Sequence, residues 1–121
     1  LNFGHTFGHA IELLGKYKDY NHGEAVALGI MCALQLSKKI CNLKEEEINR
    51  IRDLFTAFGI NIRLAKPLNV EKLYEAMQSD KKKGVNDLNF ILIKEIGSAK
   101  KYSDISKKEV LDAIERSIFP I

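Results

Sequence analysis

At 121 residues and 45% hydrophobic content, the chain is long enough to bury a core as one domain and too apolar to be a disordered tail. Its net charge of +3 sets 19 basic against 16 acidic residues, and the longest basic run, Lys81-Lys82-Lys83, has no interleaved aromatic residue, so nothing favours a nucleic-acid partner. The longest apolar stretch, residues 25–36, contains Gln35 and is too short to cross a bilayer, which excludes a membrane span.

In chain order, residues 1–14 read as a helix with unusual internal glycines, stopped by Gly15 at a C′ position. Residues 16–21 form a polar loop. His22 opens a long helix to about residue 40, with Ala25, Val26, Leu28, Gly29, Ala33, Leu34 and Leu36 spreading apolar surface around it, as expected of a central helix. Cys32 and Cys41 fall on opposite faces of it and should not bond each other. Their spacing is not that of a zinc finger, and free thiols without a secretory signal suit a reducing cytoplasm.

Glu45, Glu46 and Glu47 start a third helix, where negative charge suits the dipole. Its apolar face is Ile48, Ile51, Leu54, Phe55 and Phe58, and Gly59 ends it. Pro67 marks a connection, and Asn69 caps a fourth helix with Leu73, Ala76 and Met77 inward. Residues 88–93 read as a strand, returning near residues 99–102 as a hairpin. Ser106-Lys107-Lys108-Glu109 is a capping box for a last helix with Val110, Leu111, Ile114 and Ile118 inward. The fold class is mainly α, with one small β-hairpin.

All three histidines lie in Leu1-Asn2-Phe3-Gly4-His5-Thr6-Phe7-Gly8-His9-Ala10 and in His22-Gly23-Glu24. Histidine is the side chain most suited to metal ligation and to proton transfer near neutral pH. His5 and His9 are one turn apart on one helix face, a spacing at which two imidazoles reach one metal, and Glu12 follows on the same side. An antiparallel second helix would return His22 toward the His5 level. Each of Gly4 and Gly8 costs a helix about 0.5–1 kcal/mol relative to alanine, so something approaches the backbone there, either another helix or a ligand. The plainer readings are an incidental His-x3-His pair, glycines that serve helix packing, and a solvated lysine run.

The string Leu-Asn-Phe-Gly-His-Thr-Phe-Gly-His-Ala-Ile-Glu, then His-Gly-Glu-Ala-Val-Ala-Leu-Gly-Ile, then Asp80-Lys81-Lys82 and Phe90-Ile-Leu-Ile with Ile96-Gly97, resembles the 3-dehydroquinate synthase family of sugar-phosphate cyclases over essentially the whole chain. The resemblance implies the family's helical C-terminal domain across residues 1–121, with the N-terminal NAD-binding α/β domain outside this chain. No glycine-rich nucleotide fingerprint is present. It implies His5 and His22 as metal ligands for Zn²⁺ or Co²⁺, with a third ligand, a glutamate, from the N-terminal domain. His9 matches the catalytic histidine beside the substrate, Asn2 a substrate-binding asparagine, and Lys81 or Lys82 a lysine for the anionic substrate. Spacing alone would make His5 and His9 the metal pair; the resemblance divides them between metal and proton chemistry.

The implied reaction turns 3-deoxy-arabino-heptulosonate 7-phosphate into 3-dehydroquinate with loss of phosphate, a step of the shikimate route, using NAD. Implied partners are that sugar acid phosphate, the N-terminal domain and, for the parent, a second copy in a homodimer. The face toward the N-terminal domain should be exposed and partly apolar. By itself the chain should be inactive. Two other readings stand beside this one: a different cyclase such as a 2-deoxy-scyllo-inosose synthase, and a stand-alone, non-catalytic helical binding module.

Overall fold

The structure, a computed structural model, describes residues 3–16, 19–60, 62, 68–79 and 88–118. Within them lie five helices and one hairpin: α1 (His5–Leu14), α2 (His22–Cys41), α3 (Glu45–Ala57), α4 (Val70–Ser79), β1 (Phe90–Glu95), β2 (Ser98–Tyr102) and α5 (Lys107–Ile118). The mainly helical class with a single hairpin is as the sequence indicates. No helix is long and apolar enough to cross a membrane among the described residues.

The long helix α2 is the axis of the domain, and α1, α3, α5 and β1 all pack on it. Its unbroken buried run from Met31 to Ser37 shows why apolar positions encircle it: several neighbours cover it at once. This placement also buries both cysteines although they lie on opposite faces; both are free thiols. Cys32 lies 3.1 Å from the Ser117 hydroxyl of α5, and burial pushes its thiol up to about 12. Val26 departs from the expected apolar surface, being 38% exposed.

Among the described glycines, the closest approach of backbones is at the α1–α2 crossing. A Cβ on Gly29 would lie 2.5 Å from the Gly4 carbonyl oxygen and 2.6 Å from the Gly8 nitrogen. One on Gly4 would lie 2.8 Å from the Ile30 nitrogen. The backbones can come this close only because no side chain stands between them. The neighbour that the Gly4 and Gly8 spacing called for is therefore a helix, α2.

Two details of α1 differ from the sequence reading. The helix starts at His5, and Gly4 is its N-cap residue at φ 78°, so this glycine serves a left-handed turn and not a helix interior. At the other end Gly15 has φ −82°, and the left-handed residue is Lys16 at φ 56°. A Cβ on Gly15 would crowd the Tyr20 ring at 3.1 Å.

The remaining elements follow their local signals. Asn69 Oδ1 accepts from Lys72 N at 2.9 Å and caps α4. Ser106 and Glu109 form the expected reciprocal box at α5: Ser106 Oγ accepts from Glu109 N at 3.1 Å, and Glu109 Oε1 accepts from Ser106 N at 3.3 Å. Gly59 leaves α3 at φ 74°. The strands pair antiparallel from Phe90↔Tyr102 to Ile93↔Ala99, with an irregularity before Glu95↔Ser98. Ser37, buried in α2, accepts from Ile93 N at 3.0 Å and ties the hairpin to the central helix.

Helix α5 is clamped to α2 by Asp112, which meets Lys39 and Arg116, both at 2.9 Å. The Lys39 ammonium, then the Arg116 guanidinium, hold its carboxyl below the usual carboxylate range. Helix α3 is looser. Ile48 is buried, but Leu54 is 54% and Phe58 74% exposed, so much of its expected inward face is open to solvent. Of the α5 positions expected inward, Val110 and Ile114 are buried and Leu111 is half-buried; the Ile118 side chain is outside the described residues.

Candidate functional site

One face of α1 is apolar and the other carries the chemistry. Phe7, Ala10 and Ile11 are buried, and the Phe7 ring lies 5.3 Å from that of Phe90. Thr6 Oγ1 donates to the Asn89 carbonyl at 2.9 Å. With that side held in the core, His5, His9 and Glu12, at helical spacing, turn outward together.

They line an open cleft of about 470 Å³ with Phe3, Gly4, Gly8, His22 and Val26. All three histidines thus share one cleft. The His5 and His9 rings are 5.5 Å apart, centroid to centroid, and inclined by 38°. His5 is exposed and His9 half-buried. Across the cleft, His22 Nδ1 lies 3.1 Å from Glu12 Oε2.

This pairing places His22 beside Glu12. The glycine seam sets Gly4 beside Gly29 and Ile30, and Gly8 beside Ala25 and Val26. Antiparallel helices joined by a short loop must then bring the first residue of α2 to the end of α1. The His22 backbone therefore stands by Glu12, toward the other end of α1 from His5, while its side chain lines the same cleft as His5. Among the described residues, no three His, Cys, Asp or Glu side chains are grouped to hold a metal by themselves.

The placement of His22 has a cause that the sequence reading missed. Asn21 is the N-cap of α2: its Oδ1 accepts from Glu24 N at 2.7 Å, while Glu24 Oε1 accepts from Asn21 N at 3.0 Å. This reciprocal box sets His22 at the first helical position. The signal was legible as a capping residue followed three positions later by Glu, in Asn21-His22-Gly23-Glu24. Three other expected site residues, Asn2, Lys81 and Lys82, lie outside the described residues.

Chemically, the cleft offers imidazole nitrogens and one carboxylate on a wall otherwise made of glycine backbone and the apolar Phe3 and Val26. Nitrogen donors of this kind suit Zn²⁺ or Co²⁺. With Nδ1 of His22 facing a carboxylate, its Nε2 is the atom left to meet a cation. The imidazole nitrogens on this wall fit part of such a donor set.

Known proteins resemble this chain over most of its length. A 3-dehydroquinate synthase from Dictyoglomus turgidum is 40% identical over 115 residues, covering 95% of this chain and 32% of that protein. One from Chlorobaculum parvum is 41% identical over 120 residues, with 95% and 33% covered. The chain therefore spans about a third of the length of these relatives and corresponds to their C-terminal part.

Among solved structures, a 2-deoxy-scyllo-inosose synthase complexed with carbaglucose-6-phosphate, NAD⁺ and Co²⁺ superposes with a TM-score of 0.79 at 23% identity, over 97% of this chain and 34% of that one. A 2-epi-5-epi-valiolone synthase from Streptomyces hygroscopicus with NAD⁺ and Zn²⁺ bound gives 0.80 at 23% identity, over 95% and 31%. These likenesses establish the fold. The family model described as 3-dehydroquinate synthase C-terminal matches residues 1–83, the segment that carries α1, α2 and the whole histidine cleft, and the chain belongs to that family.

Proposed function

We propose that this chain is the metal- and substrate-binding C-terminal domain of a 3-dehydroquinate synthase, which converts 3-deoxy-arabino-heptulosonate 7-phosphate to 3-dehydroquinate and phosphate. The observation that carries the proposal is the convergence of His5, His9 and His22 in one cleft, in a chain about 40% identical to such synthases over 95% of its length. The N-terminal NAD-binding domain belongs to the same protein, and the domain spans residues 1–121. The cytoplasm is the proposed compartment.

His5 and His22 are the proposed metal ligands, with a carboxylate from the N-terminal domain completing the set. When bound, Zn²⁺ or Co²⁺ supplies Lewis-acid polarisation of a substrate hydroxyl, and NAD⁺ supplies the hydride acceptor. His9, one turn from His5 on the same wall, presents a ring nitrogen that donates a hydrogen bond to an anionic substrate oxygen or accepts a proton there. Asn2 and one of Lys81 and Lys82 bind the substrate's polar and anionic groups. Phe3 and Val26 keep part of the wall apolar, which limits water around those contacts.

The test is product analysis with the full-length protein carrying this chain, supplied with NAD⁺ and Zn²⁺ or Co²⁺. Dehydroquinate and phosphate in equal amounts are expected. His9→Ala should lower kcat by about 100-fold or more, the ordinary scale of an acid–base group. A different carbocycle would assign the chain to another cyclase. The isolated chain should form no dehydroquinate, because the nucleotide and the third ligand come from elsewhere; turnover by the 121 residues alone would overturn the division of labour.

A further inference from the structure

The Glu12–His22 contact is not explained by stability. His22 is 80% exposed, and an ion pair or hydrogen bond to so exposed a partner contributes little to folding. Glu12 is the opposite case, with its side chain only 14% exposed, so a carboxylate has been drawn into the cleft wall to reach the imidazole. Meanwhile the Asn21–Glu24 box holds the backbone of His22. One device fixes where the residue begins, and the other fixes the ring.

We propose that Glu12 is a positioning residue for the metal site: it accepts the Nδ1 proton of His22, selects that tautomer and aims the Nε2 lone pair into the cleft. The inference rests on the assignment of His22 as a ligand and adds the carboxylate behind it. A histidine ligand binds through one nitrogen, and the hydrogen bond made by the other decides which nitrogen is free and how the ring is turned. The carboxylate also raises the donor strength of the imidazole. Glu12 reaches this position because it lies seven residues after His5 on the same helix face, and the glycine seam brings the start of α2 to that level. In this arrangement Glu12 Oε2 faces His22 Nδ1 at 3.1 Å and so stands behind the proposed ligand.

The experiment uses the full-length protein carrying this chain and three variants, Glu12→Ala, Glu12→Gln and His22→Ala, each checked for an unchanged unfolding temperature without metal. Zn²⁺ affinity is read by competition with a chromophoric chelator, and the ligand set by the visible spectrum of the Co²⁺ form. Glu12→Ala should weaken Zn²⁺ binding by about 10–100-fold. Glu12→Gln should lose less, because its carbonyl still accepts the Nδ1 proton. The Co²⁺ bands should keep their positions in both, and His22→Ala should lose more than either.

Zn²⁺ affinity at an unchanged unfolding temperature is the readout that a merely structural pair would not move, and nitrogen-15 spectra of the metal-free protein check the tautomer: His22 should carry its proton on Nδ1, and on Nε2 in Glu12→Ala. If Glu12→Ala binds Zn²⁺ within twofold of the parent while His22→Ala does not, the positioning role is wrong and the ligand assignment stands. If His22→Ala binds normally, the ligand assignment itself is wrong. Altered Co²⁺ bands in Glu12→Ala would mean that the carboxylate ligates directly, which also overturns the proposal.

Discussion

Helices α1 and α3 both pack on α2 and both show a regular apolar stripe, yet they are held very differently. Helix α1 buries Phe7, Ala10 and Ile11 and meets α2 backbone to backbone at three glycines. Helix α3 buries Ile48 and leaves Leu54 and Phe58 largely in solvent. Periodicity states which side of a helix is apolar; it does not state whether anything covers that side. The cleft residues sit on the tight pair, and chemistry that depends on distances within a fraction of an ångström belongs on elements whose separation cannot drift.

The tight packing of α1 on α2 is most sensitive at the glycine seam. Gly29→Ala drives a methyl group into the Gly4 carbonyl and the Gly8 backbone, neither of which is the end of a flexible side chain. Overpacking of this kind costs about 1–3 kcal/mol, only partly offset by the better helix propensity of alanine. A fall of about 2 kcal/mol in denaturant unfolding is expected, and unchanged stability would show that the two helices separate freely.

A smaller effect is expected at the head of α2. Asn21→Ala removes the acceptor for Glu24 N and should cost about 1 kcal/mol. It should also broaden the His22 ring signals; a variant as stable as the parent would mean that water caps the helix equally well. The smallest effect belongs to α3. Phe58→Ala should change stability by about 0.5 kcal/mol or less in this chain, as for other exposed positions. A loss of several times that would show that its ring is covered in solution and would erase the contrast with α1.

Much of the fold was legible because its signals are local. Asn69, Ser106 and Gly59 act through atoms a few residues away, so the ends of α3, α4 and α5 follow from the chain itself. The face shared by His5, His9 and Glu12 was equally legible, since helical geometry places residues four and seven apart on one side. Asn21 was missed although its signal is of the same local kind, an N-cap with Glu three positions on. Asn2, Lys81 and Lys82 were legible only through the family motif and lie outside the described residues.

What the sequence alone determined, then, is the list of helices, the outward set of chemical groups on α1 and the family signature in which they sit. The tertiary structure decided what Gly4 and Gly8 approach and where His22 comes to rest. Both depend on Gly29, which lies on a different helix from them and has no helical period in common with them. Its missing side chain lets two backbones touch, and that one contact sets the register of α2 against α1. His22 is thereby placed beside Glu12, because a short loop between antiparallel helices joins the end of one to the start of the next.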